Sequence, residues 1–172
     1  EEQANRVTLG AFREEIGLWQ LRSVDGGKSW VRQRALVDSP HGPCELDDGS
    51  LLFVGYETSS PSNLLGGRPA TGGLVAARSE DDGVTWKILS RIPVAPGHRS
   101  YQYHEPHAVQ AADGTVVVHI RKNYPKTART LQVTSRDRGA TWSVPEEVYW
   151  GYPSHLLRLK DGRLLATYGY RK

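Results

Sequence analysis

Three short polar clusters in this 172-residue chain carry residue types that could do chemistry. They are His41-Gly42-Pro43-Cys44-Glu45, His104-Glu105-Pro106-His107 and Tyr152-Pro153-Ser154-His155. The second is the densest. A glutamate beside a proline-fixed turn suits a general base or an acceptor for a sugar hydroxyl. His104 and His107, three residues apart, could begin a metal set, but spacing alone supplies no third or fourth ligand, and no metal or other cofactor is assigned. The competing reading of each histidine is a polar residue in a turn where a strand begins. Two arginines form a second theme. Arg121 closes the strand-like run Val116–Ile120, and Arg171 follows Thr167-Tyr168-Gly169-Tyr170, so both end second strands of their units at the same relative place.

The elements that must position these groups are short strands. Leu51–Tyr56, Thr115–Ile120 and Leu164–Tyr168 are rich in β-branched or aromatic residues, and each follows an Asp-Gly turn (Asp48-Gly49, Asp113-Gly114, Asp161-Gly162). The stretch from Thr58 to Gly73, with two glycine pairs, reads as a long loop. No window shows a helical period. The chain is expected to be all-β.

An octapeptide, Ser-x-Asp-x-Gly-x-(Ser/Thr)-Trp, punctuates the strands three times at one period. Its copies start at Ser23, Ser79 and Ser135 and end at Trp30, Trp86 and Trp142. Such a repeat has to be settled before anything else. Between copies the order is constant: strand, Asp-Gly hairpin, strand, loop, strand, octapeptide turn, strand. The spacing predicts strands at 43–47, 51–57, 73–78 and 86–92, then 105–112, 115–121, 129–134 and 142–148. Half units are expected at 16–22 with 30–37 and at 154–159 with 163–170. Four-stranded antiparallel units arranged radially make a β-propeller. The expected organisation is a half blade (1–40), two blades (41–98 and 99–150) and a half blade (151–172), three blade-equivalents in all. Ligands of propellers usually sit near the axis, where first strands converge, and the three polar clusters occupy that place.

The octapeptide itself reads as scaffold. Asp25, Asp81 and Asp137 can bond amides of their own turns. Gly27, Gly83 and Gly139 sit where a left-handed backbone is expected. Ser23, Ser79 and Ser135 can close further local bonds, and the tryptophans should pack against their sheets. As a calcium site it is poor, because one carboxylate is far from the six to eight oxygens that ion takes.

Composition excludes several classes. With 38% apolar and 24% charged residues the chain can build a moderate core, and no run is long enough to span a membrane. The formal charge is +3, but basic and acidic residues are interspersed, without the stripe that nucleic acid requires. A single cysteine, Cys44, excludes an intramolecular disulfide framework. The chain opens on Glu1-Glu2 rather than Met and shows no secretory leader, as a processed or excised segment would.

The three octapeptides resemble the Asp-box, or bacterial neuraminidase repeat, of the sialidase superfamily, and the resemblance covers nearly the whole chain. It implies a six-bladed ring of which this chain supplies half, with the boxes at the outer rim, far from the cleft. Asp-boxes also occur in many propellers that are not sialidases. The segment Leu156–Arg171 is similar to bacterial sialidase-like propellers. In that family three arginines hold the substrate carboxylate, since a planar guanidinium fork suits it; Arg121 and Arg171 resemble two of them. A tyrosine nucleophile activated by a glutamate is implied, with Tyr170 (or Tyr168) and Glu105 as the matching residues. His104, His107 and His155 would line the substrate site. Arg91-Ile92-Pro93 matches the letters of the family's start motif but follows a box instead of preceding the first. A third arginine and an acid/base aspartate have no match.

These readings lead to an acidic-carbohydrate-binding propeller, with exo-glycosidase activity if the ring and site are completed. The alternatives are a non-catalytic module that binds glycan or protein and a structural fragment. Half a ring leaves sheet edges open. Either a longer six-bladed chain or a second copy of this one would close it, and the complementary half blades favour the second copy as partner. The family resemblance favours a secreted or periplasmic location.

Overall fold

The computed structural model describes residues 18–57, 72–123 and 129–169. Among these residues thirteen strands run in chain order. β1 (Trp19–Arg22) and β2 (Val31–Arg34) form a two-stranded sheet. β3 (Val37–Asp38) and β4 (Cys44–Glu45) both pair with β5 (Leu51–Glu57), which continues to β6 (Leu74–Ser79) and β7 (Lys87–Arg91). The next sheet has the order β8 (Tyr103–Gln110), β9 (Val116–Lys122), β10 (Arg129–Ser135), β11 (Glu146–Trp150). β12 (Ser154–Arg158) and β13 (Leu164–Tyr168) form a final pair. Every pairing is antiparallel. The all-β expectation of four-stranded blades is met.

Alternation along the strands explains how the sheets stack. On β5 and β6, Leu52, Val54, Leu74 and Ala76 join Val116, Val118, Ile120, Leu131 and Val133 of β9 and β10 in one core between the two full blades. The intervening Val75 and Ala77 face the other way, toward Val37, Phe53 and Trp86. Val109 and Val117 likewise turn to Leu156 of β12. Central strands buried on both faces need apolar residues at successive positions, which is why β6 and β9 read as near-continuous hydrophobic runs. The inner strands are neighbours, β4 against β8 and β8 against β12. Cys44 lies in this interior, and burial pushes its thiol up to about 11, which makes it an unreactive packing residue.

Three details of the strands differ from expectation. The first strand of the first blade is split, because Ser39 to Pro43 leaves the ladder between β3 and β4. β11 starts at Glu146 instead of 142, since Pro145 has no N–H to offer β10. The inner strand β8 carries a bulge: His104 pairs with Arg121 and His107 with His119, so Glu105 and Pro106 together oppose Ile120. That extra residue lets Tyr103 and Ala108, five apart, enter the same core.

The octapeptide turns are built alike. In the second, Ser79 Oγ donates to Asp81 Oδ1 and accepts from the Gly83 amide, both at 2.8 Å. Asp81 in turn accepts from the Thr85 amide and hydroxyl, at 2.8 and 2.6 Å. Asp25 and Asp137 repeat the pattern. These bonds hold all three carboxyls down at about 2. Carboxylates depressed below their unfolded value of 3.8 contribute stability above that value, and lose it as pH falls from 3.8 through 2. Acid unfolding followed by circular dichroism should therefore steepen in that window, and Asp81→Asn should flatten it; an unaltered profile would refute the assignment.

The second and third turns also lean on the preceding sheet. Gln20 and Gln33 of β1 and β2 donate to the Gly83 carbonyl at 2.7 and 2.8 Å. Ser90 of β7 donates to the Gly139 carbonyl and accepts from Trp142 Nε1. Trp30 departs from the expected packing and is 58% exposed, because among the described residues no sheet is docked against its turn. Gly139 has φ 93°, and a β-carbon there would lie 2.9 Å from Leu52 Cδ1. Gly139→Ala should cost about 1–3 kcal/mol in urea denaturation; a variant as stable as the parent would contradict this account.

Candidate functional site

Glu105 stands at the bulge of β8 with φ 44°, a left-handed conformation that disfavours any residue but glycine. Such strain amounts to about 1–3 kcal/mol and persists where surroundings enforce it. Here the enforcing partner is Arg121, at the end of the adjacent strand. Its Nη1 donates to both Glu105 oxygens, at 2.8 and 2.9 Å, and its Nε donates to Asn123 Oδ1 at 2.9 Å. The guanidinium carbon lies 3.8 Å from the centre of the Tyr152 ring, so the aromatic face covers the fork. Both charged side chains remain accessible, 20% for Arg121 and 28% for Glu105.

The turn that carries Tyr152 is fixed by a buried polar network. His119 Nε2 and Gln132 Oε1 lie 3.1 Å apart, and His119 Nδ1 lies 2.9 Å from the Tyr149 hydroxyl. With Gln132 as acceptor, His119 donates from Nε2 and receives the Tyr149 proton at Nδ1. Ser154 Oγ lies 2.6 Å from the Tyr149 oxygen and can donate to it, while Thr130 donates to the Gly151 carbonyl at 2.6 Å. Burial pushes the Tyr149 phenol above its ordinary value. Tyr168 stacks on Tyr149 with ring centres 4.5 Å apart, which makes it a packing residue of this wall.

Beside the ion pair lies a second cluster. His41 from the split first strand, His107 from β8 and His155 from β12 bring one ring nitrogen each within 4.8 Å of the others. The His107 and His155 rings stack at 4.2 Å, and His41 tilts against His107 at 4.8 Å. The Leu156 amide donates to His107 Nδ1 at 2.7 Å, satisfying a backbone donor on the free edge of β12. Burial, then the neighbouring imidazoles His155, His41 and His119, hold His107 down at about 4. Burial and His155 lower His41 too, while the Glu105 carboxylate opposes them.

The expected site residues thus divide. Glu105 and Arg121 come into direct contact, and His107 and His155 meet. His104 sits on the bulge and is 8% exposed, so little of it is open to a ligand. Tyr170 and Arg171 lie outside the described residues. Asn123 and the Leu156 amide had no signal in the sequence, and Tyr152 stood in the third polar cluster without an assigned role, since each acts through a neighbour brought close by the blade stacking.

Comparison with known proteins decides the family. The model of the BNR repeat-like domain matches residues 6–172. The chain belongs to the BNR repeat-like family. A solved structure of a protein of unknown function from Dyadobacter fermentans DSM 18053 is 30% identical, with a TM-score of 0.69 over 91% of this chain and 45% of that one. The K499G mutant of NanB sialidase from Streptococcus pneumoniae shares 21% identity, TM-score 0.57, over 85% of this chain and 22% of that one. The Hadza microbial sialidase Hz136 shares 18%, TM-score 0.53, over 79% and 35%. No curated protein matches the chain in sequence. This BNR repeat-like chain therefore has a sialidase-like propeller fold, and it spans less than half the length of these solved structures.

Proposed function

We propose that the axial face of this BNR repeat-like chain binds an acidic carbohydrate. The observation that carries the reading is the strained Glu105 held by Arg121 over Tyr152, at the end of the inner strands where propellers place ligands. Arg121 contributes its outer terminal nitrogen, Glu105 accepts sugar hydroxyls, and the Tyr152 side of the site offers an aromatic edge.

Binding is favoured over turnover by one feature. Both Glu105 oxygens are engaged by Arg121, and among the described residues no tyrosine hydroxyl bonds to that carboxylate. Glycosidase chemistry would need Tyr170 or a group from the completed ring. We further propose that the ring is closed by pairing β1–β2 with the β12–β13 pair of a second copy, which would complete four-stranded blades. The direct test is a fluorogenic sialoside assayed for turnover and, in parallel, for binding by fluorescence anisotropy, with light scattering to give the mass. Binding without turnover supports the module; turnover supports the enzyme; neither, with a range of acidic sugars, removes the proposal.

A further inference from the structure

The His41–His107–His155 cluster has a definite hydrogen-bond polarity. Because the Leu156 amide occupies the Nδ1 lone pair of His107, the neutral ring must carry its proton on Nε2 and act there as a donor. An imidazole that binds a metal shows the reverse: its second nitrogen donates to a protein acceptor. The His107 and His155 rings are stacked, with centres 4.2 Å apart and planes only 23° apart, so their in-plane lone pairs lie in separate, nearly parallel planes and do not converge on one cation. His41 Nε2 is buried and has no hydrogen-bond partner among the described residues. The cluster therefore presents one fixed donor, one orphaned nitrogen and one exposed ring, with one nitrogen of each within 4.8 Å of the others.

We propose that this cluster is an oxyanion subsite, which takes the carboxylate or sulfate group of a ligand and takes up protons as it does so. His107 Nε2–H offers the first bond. His41 Nε2 becomes a second donor once protonated, and His155 closes the open side. The groups facing the cluster are His119 from β9, Glu105 at the bulge and the Leu156 amide from β12, and Arg121 already neutralises Glu105. Imidazoles that crowd together resist protonation, and an anion seated among them removes that resistance. Its affinity must then rise as pH falls from 6.5 toward about 4, whereas a cation would compete with protons and weaken. The carbohydrate reading supplies only the source of the oxyanion; the subsite can be tested without a sugar.

The experiment is a histidine-resolved NMR pH titration of the purified chain with and without sodium sulfate, repeated with glucuronate, glucose 6-sulfate and neutral glucose. Sulfate should raise the His107 midpoint saturably by about one unit, and should bind at least about tenfold more tightly near pH 5 than near pH 7.5. His41→Ala decides the matter, because His41 lies on an irregular loop whereas His107 also caps Leu156; it should remove most of the shift while the circular dichroism stays native. A response to glucuronate alone identifies the group as carboxylate, and a response to glucose 6-sulfate alone as sulfate. Sulfate binding without any sugar response keeps the subsite and defeats the carbohydrate proposal. No saturable sulfate effect near pH 5 overturns the subsite, and so does stoichiometric zinc binding that His41→Ala abolishes and acid weakens.

Discussion

Arg121→Ala should weaken binding of an acidic sugar at least about tenfold and lower folding stability by about 1–3 kcal/mol. Two separate losses combine. The ligand loses its guanidinium donors, and Glu105 keeps its strained backbone and partly covered carboxylate without a partner. Arg121→Lys should recover little, because an ammonium cannot contact Asn123, Glu105 and the Tyr152 face together. Adding Glu105→Gln to Arg121→Ala should restore part of the stability and none of the binding, since the uncompensated charge is gone but the donors are still missing. Calorimetry and urea denaturation measure the two effects independently. Unchanged affinity in Arg121→Ala would remove Arg121 from the site, and a double variant no more stable than the single would mean that the Glu105 charge costs nothing when Arg121 is gone.

Leu52→Ala should destabilise the protein by about 2–5 kcal/mol. Leu52 is fully buried in the core between the two full blades. Its two methyl groups also fill the space over Gly139, where the third octapeptide turn approaches most closely. Truncation therefore opens a cavity under both the sheet core and the turn, and the fixed turn geometry limits how far the walls can relax inward. A loss well below about 2 kcal/mol in urea denaturation would show that the blades can slide together, and that the stacking is looser than the buried strands indicate.

Much of this architecture was legible in the residues. The even spacing of Ser23, Ser79 and Ser135 sets the blade period, and the Asp-Gly pairs mark the hairpins, because both are local features in which a few residues dictate their own backbone. Non-local features escaped. Nothing in His104-Glu105-Pro106-His107 announces a bulge, yet the bulge places Tyr103 and Ala108 in one core and aims Glu105 at Arg121. The order of the three polar clusters already placed a histidine of each at the axis, but the bulge hid which of the pair three apart would take part: it is His107 that meets His41 and His155 from neighbouring blades. Arg121 could be singled out from its place at a strand end. That Tyr152 of the third cluster would cover it could not be read, because that contact crosses from one blade to the next.

The carbonyls of Gly83 and Gly139 take their inter-sheet bonds from the sheet before them, never among the described residues from the sheet after. That asymmetry gives the array a direction. Loosening β1 and β2 would release two glutamine donors from the second turn, whereas the third would still be held by Ser90. Stacked units whose energies depend on nearest neighbours behave as a one-dimensional lattice. With one-sided links at the rim, disturbance there should travel from low residue numbers to high, as in a row of tiles each pinned by the one laid before it.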